Sequence, residues 1–246
     1  MIVSTEKGIA YPEALGSFQK PGTGVWSIDR IGAASIEALD SATMTEVQSS
    51  GEGATLHVKD PVVFDSPAGG TALMFCSHPF GWSSSNTGLA KRGEGEGEFV
   101  LQARSVLERG ATWDVACARV TDRLAVPQVG LLAGLPPLSL YFYDGAECLR
   151  SLDENAKAVS RPRGYSCEEL GGLAWGWDAE FPKMQRLSLD FPLFTSPHGT
   201  GCSRYVSTLK MQDGIMATWQ QSQPDRSQPL VGNFLDSAAV ESQLAG

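Results

Sequence analysis

Short apolar runs, each about the length of a β-strand, alternate along this chain with clusters of turn-forming residues. The runs are rich in Val, Leu, Phe, Tyr and Trp, and the breakers between them include SPAGG, GEGEGE, GLPP, SPHGTG and QDG. Runs of this kind, bounded by Gly, Pro, Asp and Ser, are typical of β-strands. The predicted strands cover residues 24–31, 61–64, 72–76, 99–101, 115–120, 138–143, 185–189, 204–209 and 215–219.

Helical periodicity is scarce in the sequence. Residues 36–48 and 151–160 are each compatible with a helix or an extended loop, and the last ten residues with a short terminal helix. The 27 Gly and 14 Pro indicate many turns between short strands. The sequence therefore predicts an all-β fold with about four strands in each repeating unit.

Length and charge limit the domain count and the partners. The 246 residues, 42% of them hydrophobic, predict one domain over residues 1–246. A net charge of −9 argues against a nucleic-acid partner or an anionic membrane, since both are recognised by basic patches. The N-terminus lacks a basic region followed by an apolar run, and no stretch reaches about 18 apolar residues. We therefore expect a cytoplasmic protein whose ligand is neutral or weakly charged.

Cysteine and histidine patterns give no metal signature. The five cysteines are odd in number and include no CxxC pair. The three histidines form neither an HxH nor an HExxH pattern. The sequence predicts reduced thiols, no metal site and no cofactor.

An acidic residue ahead of an apolar strand recurs along the chain, in LHVKDPVVF, GATWDVACARV and YSCEELGGLAW. The acids are Asp60, Asp114 and either Glu168 or Glu169. They lie about 55 residues apart, and a four-stranded propeller blade takes roughly 40–50 residues. The recurrence predicts a β-propeller of four or five blades.

Acids repeated once per blade would place several carboxyl groups together, as hydrolysis of a glycosidic bond requires. The first strand of each blade lines the central channel of a propeller, so these acids would converge on its axis. Hydrolysis of a glycosidic bond needs one carboxylic acid for the leaving oxygen and a second carboxylate as base or nucleophile. A third can adjust the pKa of the acid. The alternative is structural, because Asp before Pro commonly begins a turn and Asp114 is compatible with a turn cap.

Several segments resemble a known group of enzymes. VKDPVVF, together with LMFCSHPFGWSSSN, resembles a blade of the five-bladed propeller glycosidases of glycoside hydrolase families 43, 62, 32 and 68. Later blades of that superfamily are similar to YFYDGAECLR, YSCEELGGLAWG and SPHGTGCSRYVSTL. The resemblance spans roughly residues 56–235 and implies a five-bladed, all-β propeller acting on a glycan or glycoside in an axial pocket.

The resemblance also implies roles for individual acids. Asp60 matches the acid of the Asp-Pro motif, which orients the sugar or modulates a pKa. Glu169, preferred over Glu168, falls where a general acid is expected, and Glu147 in its Glu-Cys pair is a second candidate. Asp29 in VWSIDRIG is the best match to the base or nucleophile of the first blade.

Other side chains are candidates for substrate binding. His78 and His198 fall in the predicted loops SHPFGW and SPHGTG, as partners of a sugar hydroxyl or as structural histidines. Arg204 and Tyr205 open an apolar strand. A half-buried Arg there needs a carboxylate from the pocket, the substrate or a neighbouring blade. Trp82 follows Gly in a Ser-rich loop and is predicted to line the pocket.

Three functions are compatible with these patterns. The first is hydrolysis of a glycan or glycoside through Asp60 and Glu169, with Asp29 or Asp114. The second is a propeller without catalysis that binds a carbohydrate or a protein, and the third is a lyase or transferase acting on a sugar. Two carboxyl groups about 5–10 Å apart in one pocket would support hydrolysis. A lone acid paired to Arg204 would support binding.

Overall fold

The computed structural model describes residues 1–6, 26–49, 57–82, 85–95, 97–147 and 169–245, and the side chains of all of these except 57 and 78–82. The chain divides into two compact units, Met1–Glu108 and Arg109–Gly246, and each is described by itself. The segment 151–160, for which a helix or a loop was compatible with the sequence, lies outside the described residues.

The first unit contains two antiparallel meanders. Strands β1 to β3 pair in the order β1-β2-β3, and β4 to β7 pair in the order β4-β5-β6-β7. Their bounds are Ile2–Glu6 (β1), Trp26–Ile31 (β2), Met44–Gln48 (β3), His57–Asp65 (β4), Thr71–Trp82 (β5), Asn86–Arg92 (β6) and Val100–Leu107 (β7). The segment 36–48 contains only a short 3-10 turn, Leu39–Ser41, before β3, so it is not a regular helix.

The second unit repeats the pattern. Strands β8 to β11 pair in the order β11-β10-β9-β8, and β12 to β14 in the order β12-β13-β14. Their bounds are Cys117–Ala125 (β8), Leu138–Ala146 (β9), Leu170–Trp177 (β10), Gln185–Arg186 (β11), Ser203–Lys210 (β12), Gly214–Gln221 (β13) and Leu230–Asp236 (β14). A helix, α1 (Ser237–Leu244), follows β14, and the Asp236 carboxylate accepts the Ala239 amide as its N-cap.

The core of the first unit is built on β5, whose apolar run LMFC is buried on both faces. Leu73 and Phe75 pack with Ile28, Val58, Ala90 and Phe99 in one cluster. Gly88 on β6 lies under the Phe75 ring, where a Cβ would come within 2.6 Å of a ring carbon. Burying each large apolar side chain contributes about 1.5–3 kcal/mol, so this cluster holds the two sheets of the unit together.

Bulges interrupt the first strand of three sheets. The pairing register shifts between Lys59 and Val62 in β4, between Val120 and Asp122 in β8, and in β12 near Tyr205. Asp60 and Tyr205 lie in two of these bulges with φ of 54° and 55°. A positive φ is uncommon for residues other than glycine. Both residues were selected from the sequence as site candidates, so the bulges orient candidate side chains.

The described strands confirm the all-β prediction, and the described residues form four sheets of three or four strands. The short terminal helix compatible with the sequence is present as α1. Among the residues that the structure describes, no helix has the length and apolar character needed to cross a bilayer.

Candidate functional site

Glu169 and Arg204, both site candidates, form an ion pair in the second unit. Glu169 immediately precedes β10, Arg204 lies at the start of β12, and the Arg204 Nη1 donates to Glu169 Oε2. The backbone amide of Ser203 also donates to the Glu169 carbonyl at 3.2 Å. The pair thus joins two neighbouring sheets, and Glu169 keeps only 12% of its side chain exposed.

Two further charges extend this pair into a chain. Arg119 on β8 lies directly opposite Asp144 on β9 in the strand register. The Arg119 Nη2 donates to Asp144 Oδ2 at 2.8 Å and to Glu169 Oε1 at 3.2 Å. Asp144, Arg119, Glu169 and Arg204 therefore alternate in sign, and we call these four residues the ionic cluster. Its formal charge is zero.

Tyr205 is fixed on this cluster by its backbone and its ring. Its amide donates to both carboxylate oxygens of Asp144, at 3.1 and 3.2 Å. The guanidinium carbons of Arg119 and Arg204 lie 4.6 and 5.0 Å from the ring centroid, within range of a cation–π interaction. The residue nevertheless remains 37% exposed. The ring is therefore an exposed aromatic surface held in one orientation by charged partners.

Burial and neighbouring charges shift the pKa values of Asp144 and Glu169 in opposite directions. Complete burial raises the pKa of Asp144 to about 6, against the opposing charge of Arg119. Burial also tends to raise the pKa of Glu169, but the charges of Arg119 and Arg204 outweigh it and lower that pKa overall. Burial tends to lower the pKa of Arg204, and the Glu169 carboxylate raises it. Glu169 is therefore an ionised carboxylate near neutral pH.

Asp114 lies on the other face of the same sheet. Its carboxylate accepts from Arg186 Nε at 2.9 Å and from the Tyr143 hydroxyl at 3.3 Å. Tyr143 and Asp144 are consecutive on β9, and consecutive strand residues point to opposite faces. Asp114 is also completely buried. The structure thus places it away from Glu169, in a polar network inside the unit.

Asp29 and Asp60 belong to the first unit, where both lie against strand β1. Asp29 on β2 is 1% exposed and pairs in register with Val3. The Asp60 backbone amide on β4 donates to the Ser4 hydroxyl at 2.8 Å, and Asp60 itself is half-buried. Strand β1 is therefore adjacent to both of these predicted acids.

The remaining candidates fall in different places. His198 is exposed in a turn closed by the Gly201 amide, which donates to the His198 carbonyl. Glu147 is half-buried just after β9, whereas Glu168 lies outside the described residues. The loop prediction for His78 and Trp82 is wrong, because β5 continues through both of them. It extends that far because its backbone pairs with its neighbours, with His78 opposite residue 57.

Asp144 and Arg119 were not among the site residues predicted from the sequence. A signal was present for Arg119, since a cation inside the apolar run VACARV needs a buried partner. Asp144 belongs to the motif YDG, but Asp followed by Gly is also typical of a turn, so the motif did not identify it as a site residue. Pairing of β8 with β9 was needed to bring the two together.

A separate cavity of about 260 Å³ lies in the first unit, against β3, β4, β5 and β7. Val58 and Phe75 form its apolar wall, and Glu46 and Arg104 contribute the charged groups. None of the predicted site residues lines it. Within the described parts of the chain, no group of three or more His, Cys, Asp and Glu side chains is placed to hold a metal ion.

Comparison with known proteins gives the fold. No family model matches this chain, and no curated protein matches it. Solved structures do match: a BT0996 RGII complex (TM-score 0.59, 12% identity), a glycoside hydrolase (0.55, 11%) and an α-L-arabinofuranosidase from Lactobacillus brevis (0.54, 11%). The alignments cover 90%, 90% and 89% of this chain. They cover 64%, 64% and 65% of the matched proteins, so this chain spans less than two thirds of their length. At these identities the likeness establishes the fold alone, an all-β, propeller-like fold shared with glycoside hydrolase structures.

Proposed function

We propose that this chain is a glycoside-hydrolase-like protein that binds a glycan or glycoside at Tyr205, beside Glu169 and Arg204. The proposal rests on one observation. The Glu169 carboxylate is bound by two guanidinium groups, and both lie next to the exposed ring of Tyr205. We also propose that the fold has five blades. The recurrence of acids along the sequence and the resemblance to five-bladed glycosidases support that number.

The groups around Tyr205 suit a sugar. An aromatic ring packs against the apolar face of a sugar ring, and carboxylate and guanidinium groups bond its hydroxyls. Tyr205 is held by Asp144 and by two cations, so little conformational freedom is lost when a ligand stacks on it. Arg204 has 24% of its side chain exposed, enough to reach a hydroxyl beside the ring.

Binding is favoured over hydrolysis at this site because neither carboxyl group suits a general acid. A general acid must carry a proton near the working pH, and the lowered pKa of Glu169 keeps it ionised. Asp144 has the raised pKa that a general acid needs, but it is completely buried and therefore out of reach of a leaving oxygen.

Hydrolysis is the second candidate, and the backbone of Asp60 favours it. Asp60 precedes Pro61 and yet has φ 54°, an uncommon conformation for Asp. Strained residues of this kind cluster at functional sites. We propose that Asp60 and Asp29 would supply the carboxyl groups of a hydrolytic site.

The test is a binding titration with a panel of neutral and acidic oligosaccharides, followed by calorimetry on any that bind. Tyr205→Asn removes the ring and still tolerates the left-handed backbone. We expect it to weaken binding about tenfold or more, since aromatic contacts are worth roughly 0.5–1.5 kcal/mol beyond the apolar area they bury. Phe234→Ala is the matched control, because Phe234 is 42% exposed on β14 in the same unit.

Three results would change the proposal. If no oligosaccharide binds, or if Tyr205→Asn binds as the unmodified chain does, the Tyr205 site is excluded. If aryl glycosides are hydrolysed and Asp60→Asn abolishes turnover, hydrolysis replaces binding as the function.

A further inference from the structure

The cavity against β3, β4, β5 and β7 in the first unit has a buried floor and an exposed mouth. Val58, Phe75 and Ser77 form the floor, and each of them is at most 3% exposed. Glu46 and Arg104 are exposed and lie at the mouth. We call this space the first-unit cavity. Its volume of about 260 Å³ is many times the roughly 30 Å³ of one water molecule, so it has room for an organic ligand.

One hydroxyl group in the floor lacks a partner within the described chain. Ser77 is 3% exposed, and its hydroxyl makes no hydrogen bond in the ranges that the structure describes. Buried polar groups in folded proteins are almost always paired. The Ser77 hydroxyl can donate one hydrogen bond and accept others, so a ligand with hydroxyl groups would satisfy it. A purely apolar ligand would leave it unpaired.

Gln48 and the charges at the mouth narrow the class of ligand. The Gln48 Nε2 donates to the Phe99 carbonyl at 3.4 Å, which orients the amide and leaves its oxygen able to accept a hydrogen bond. Glu46 and Arg104 carry opposite charges, so the residues that line the cavity have no net formal charge. The chain as a whole carries a net charge of −9 and does not attract anions. A neutral ligand with hydrogen-bonding groups therefore fits this cavity.

Irregular pairing of β7 shapes the mouth. The register of β7 with β6 shifts on both sides of Ala103. Residues an odd number of positions apart on a regular strand point to opposite faces, yet Leu101 and Arg104 both line the cavity. Bulges redirect side chains in this way and are common next to functional sites. The irregular pairing therefore brings one apolar and one charged side chain to the same opening.

We propose that the first-unit cavity binds a neutral ligand that carries several hydroxyl groups and has the size of one monosaccharide. Phe75 and Val58 would pack against the C–H groups of such a ligand, and Ser77 and Gln48 would bond its hydroxyls. Ligand pockets typically measure about 300–1,000 Å³, so a cavity of about 260 Å³ accepts one sugar ring and excludes an oligosaccharide. This site belongs to the first unit and does not depend on the glycan site proposed at Tyr205 in the second unit.

An NMR titration of the full chain with D-glucose, D-galactose and D-xylose tests the proposal. Each sugar is raised to about 50 mM, an excess over the dissociation constant of about 1 mM expected for a single, weakly bound sugar. The expected result is a saturable shift of the amide signals of Gln48, Ser77 and Arg104 with at least one of the three sugars. Sodium chloride should leave this binding nearly unchanged, because the ligand carries no charge.

Ser77→Ala should weaken binding about threefold to tenfold, the effect of losing one neutral hydrogen bond. It should not lower the melting temperature, because the hydroxyl that it removes has no partner in the described chain. Ser27→Ala is the matched control, and it should leave binding unchanged. Ser27 is 2% exposed on β2, its hydroxyl is also unpaired among the described residues, and it does not line the cavity.

Three outcomes would overturn the proposal. None of the sugars shifts the three amide signals, Ser77→Ala binds as the unmodified chain does, or glucose 6-phosphate binds tenfold or more tightly than D-glucose, which would indicate an anion site at Arg104. If Ser77→Ala does not fold, Leu101→Trp replaces it. Leu101 is 38% exposed at the mouth, and the added bulk should abolish the shifts, so their retention would count equally against the site.

Tyr205→Asn separates this proposal from the glycan site of the second unit. We expect it to weaken oligosaccharide binding and to leave the shifts of Gln48, Ser77 and Arg104 unchanged. Loss of those shifts in Tyr205→Asn would assign the sugar to Tyr205 and exclude the first-unit cavity. If oligosaccharides do not bind at Tyr205 but the monosaccharide shifts persist, only the proposal for Tyr205 fails.

Discussion

Asp144 accepts the backbone amide of Tyr205 with both of its carboxylate oxygens, at 3.1 and 3.2 Å. The same carboxylate pairs with Arg119, and Asp144 is completely buried. One hidden side chain therefore holds the left-handed backbone of an exposed tyrosine and neutralises the cation under its ring. The orientation of the candidate sugar-binding ring depends on a residue that no ligand can contact.

Removing the carboxyl group of Asp144 should destabilise the chain. Asp144→Ala removes the acceptor of the Tyr205 amide and leaves the buried Arg119 with Glu169 as its one remaining carboxylate partner within the ionic cluster. A buried donor that loses its acceptor costs about 1–3 kcal/mol of the free energy of unfolding. Urea denaturation at pH 7 measures this loss. Asp225→Ala is the control, since Asp225 is exposed and bonds Ser227, two residues away. An unchanged midpoint for Asp144→Ala would contradict the prediction.

The raised pKa of Asp144 should make stability depend on pH. In the folded chain this carboxyl titrates at about 6, against the ordinary value of 3.8, so the folded state takes up the proton more readily. The contribution of Asp144 to the free energy of unfolding therefore falls as pH rises from about 4 to about 6, by roughly 3 kcal/mol. The pKa of Glu169 is lowered, so its effect on stability has the opposite sign. Its contribution to the free energy of unfolding is lost as pH falls below about 4.5.

Unfolding measured from pH 4 to pH 7 tests this dependence. Asp144→Asn cannot titrate, so the difference in unfolding free energy between the variant and the unmodified chain should change across that interval. A difference that is constant from pH 4 to pH 7 would mean that Asp144 titrates at an ordinary value.

Glu169→Gln should reduce both stability and glycan affinity. The change leaves Arg119 and Arg204 without their shared carboxylate, and both guanidiniums border the Tyr205 ring. We expect a loss of about 3 kcal/mol in the free energy of unfolding, as for other buried pairs. Thermal unfolding and calorimetric glycan titration measure the two effects. Glu180→Gln is the control, because its pair with Lys183 is exposed and such pairs contribute about 0–1 kcal/mol.

Gly110→Ala should disrupt the Asp114 network. A Cβ on Gly110 would overlap the Asp114 carboxylate, which Arg186 and Tyr143 hold in place. Forcing extra atoms into a packed interior costs about 1–3 kcal/mol. Gly134→Ala is the matched control, since no atom lies within 4 Å of a Cβ added there. Equal melting temperatures for the two variants would show that the network can shift to make room.

The fold class could be read from the sequence because strand formation is a local property. Short apolar runs bounded by Gly and Pro were sufficient to predict the strands that become β5, β9, β12 and β13. The extension of β5 through His78 and Trp82 was not visible, because SHPFGW carries turn residues. There the hydrogen bonds from neighbouring strands outweigh the local preference of the chain.

The sequence by itself determined that Glu169, Arg204 and Tyr205 are candidates for one site, since a half-buried cation requires a carboxylate. Only the tertiary structure decided which carboxylates and cations meet. Arg119 lies 25 residues from Asp144 and 50 from Glu169, and Glu169 lies 35 from Arg204. Distances of that length along the chain are closed by strand pairing and by contacts between sheets. An ion pair forms only between charged atoms that these contacts bring within about 4 Å of each other. The sequence of each strand does not specify which residues of other strands will lie that close.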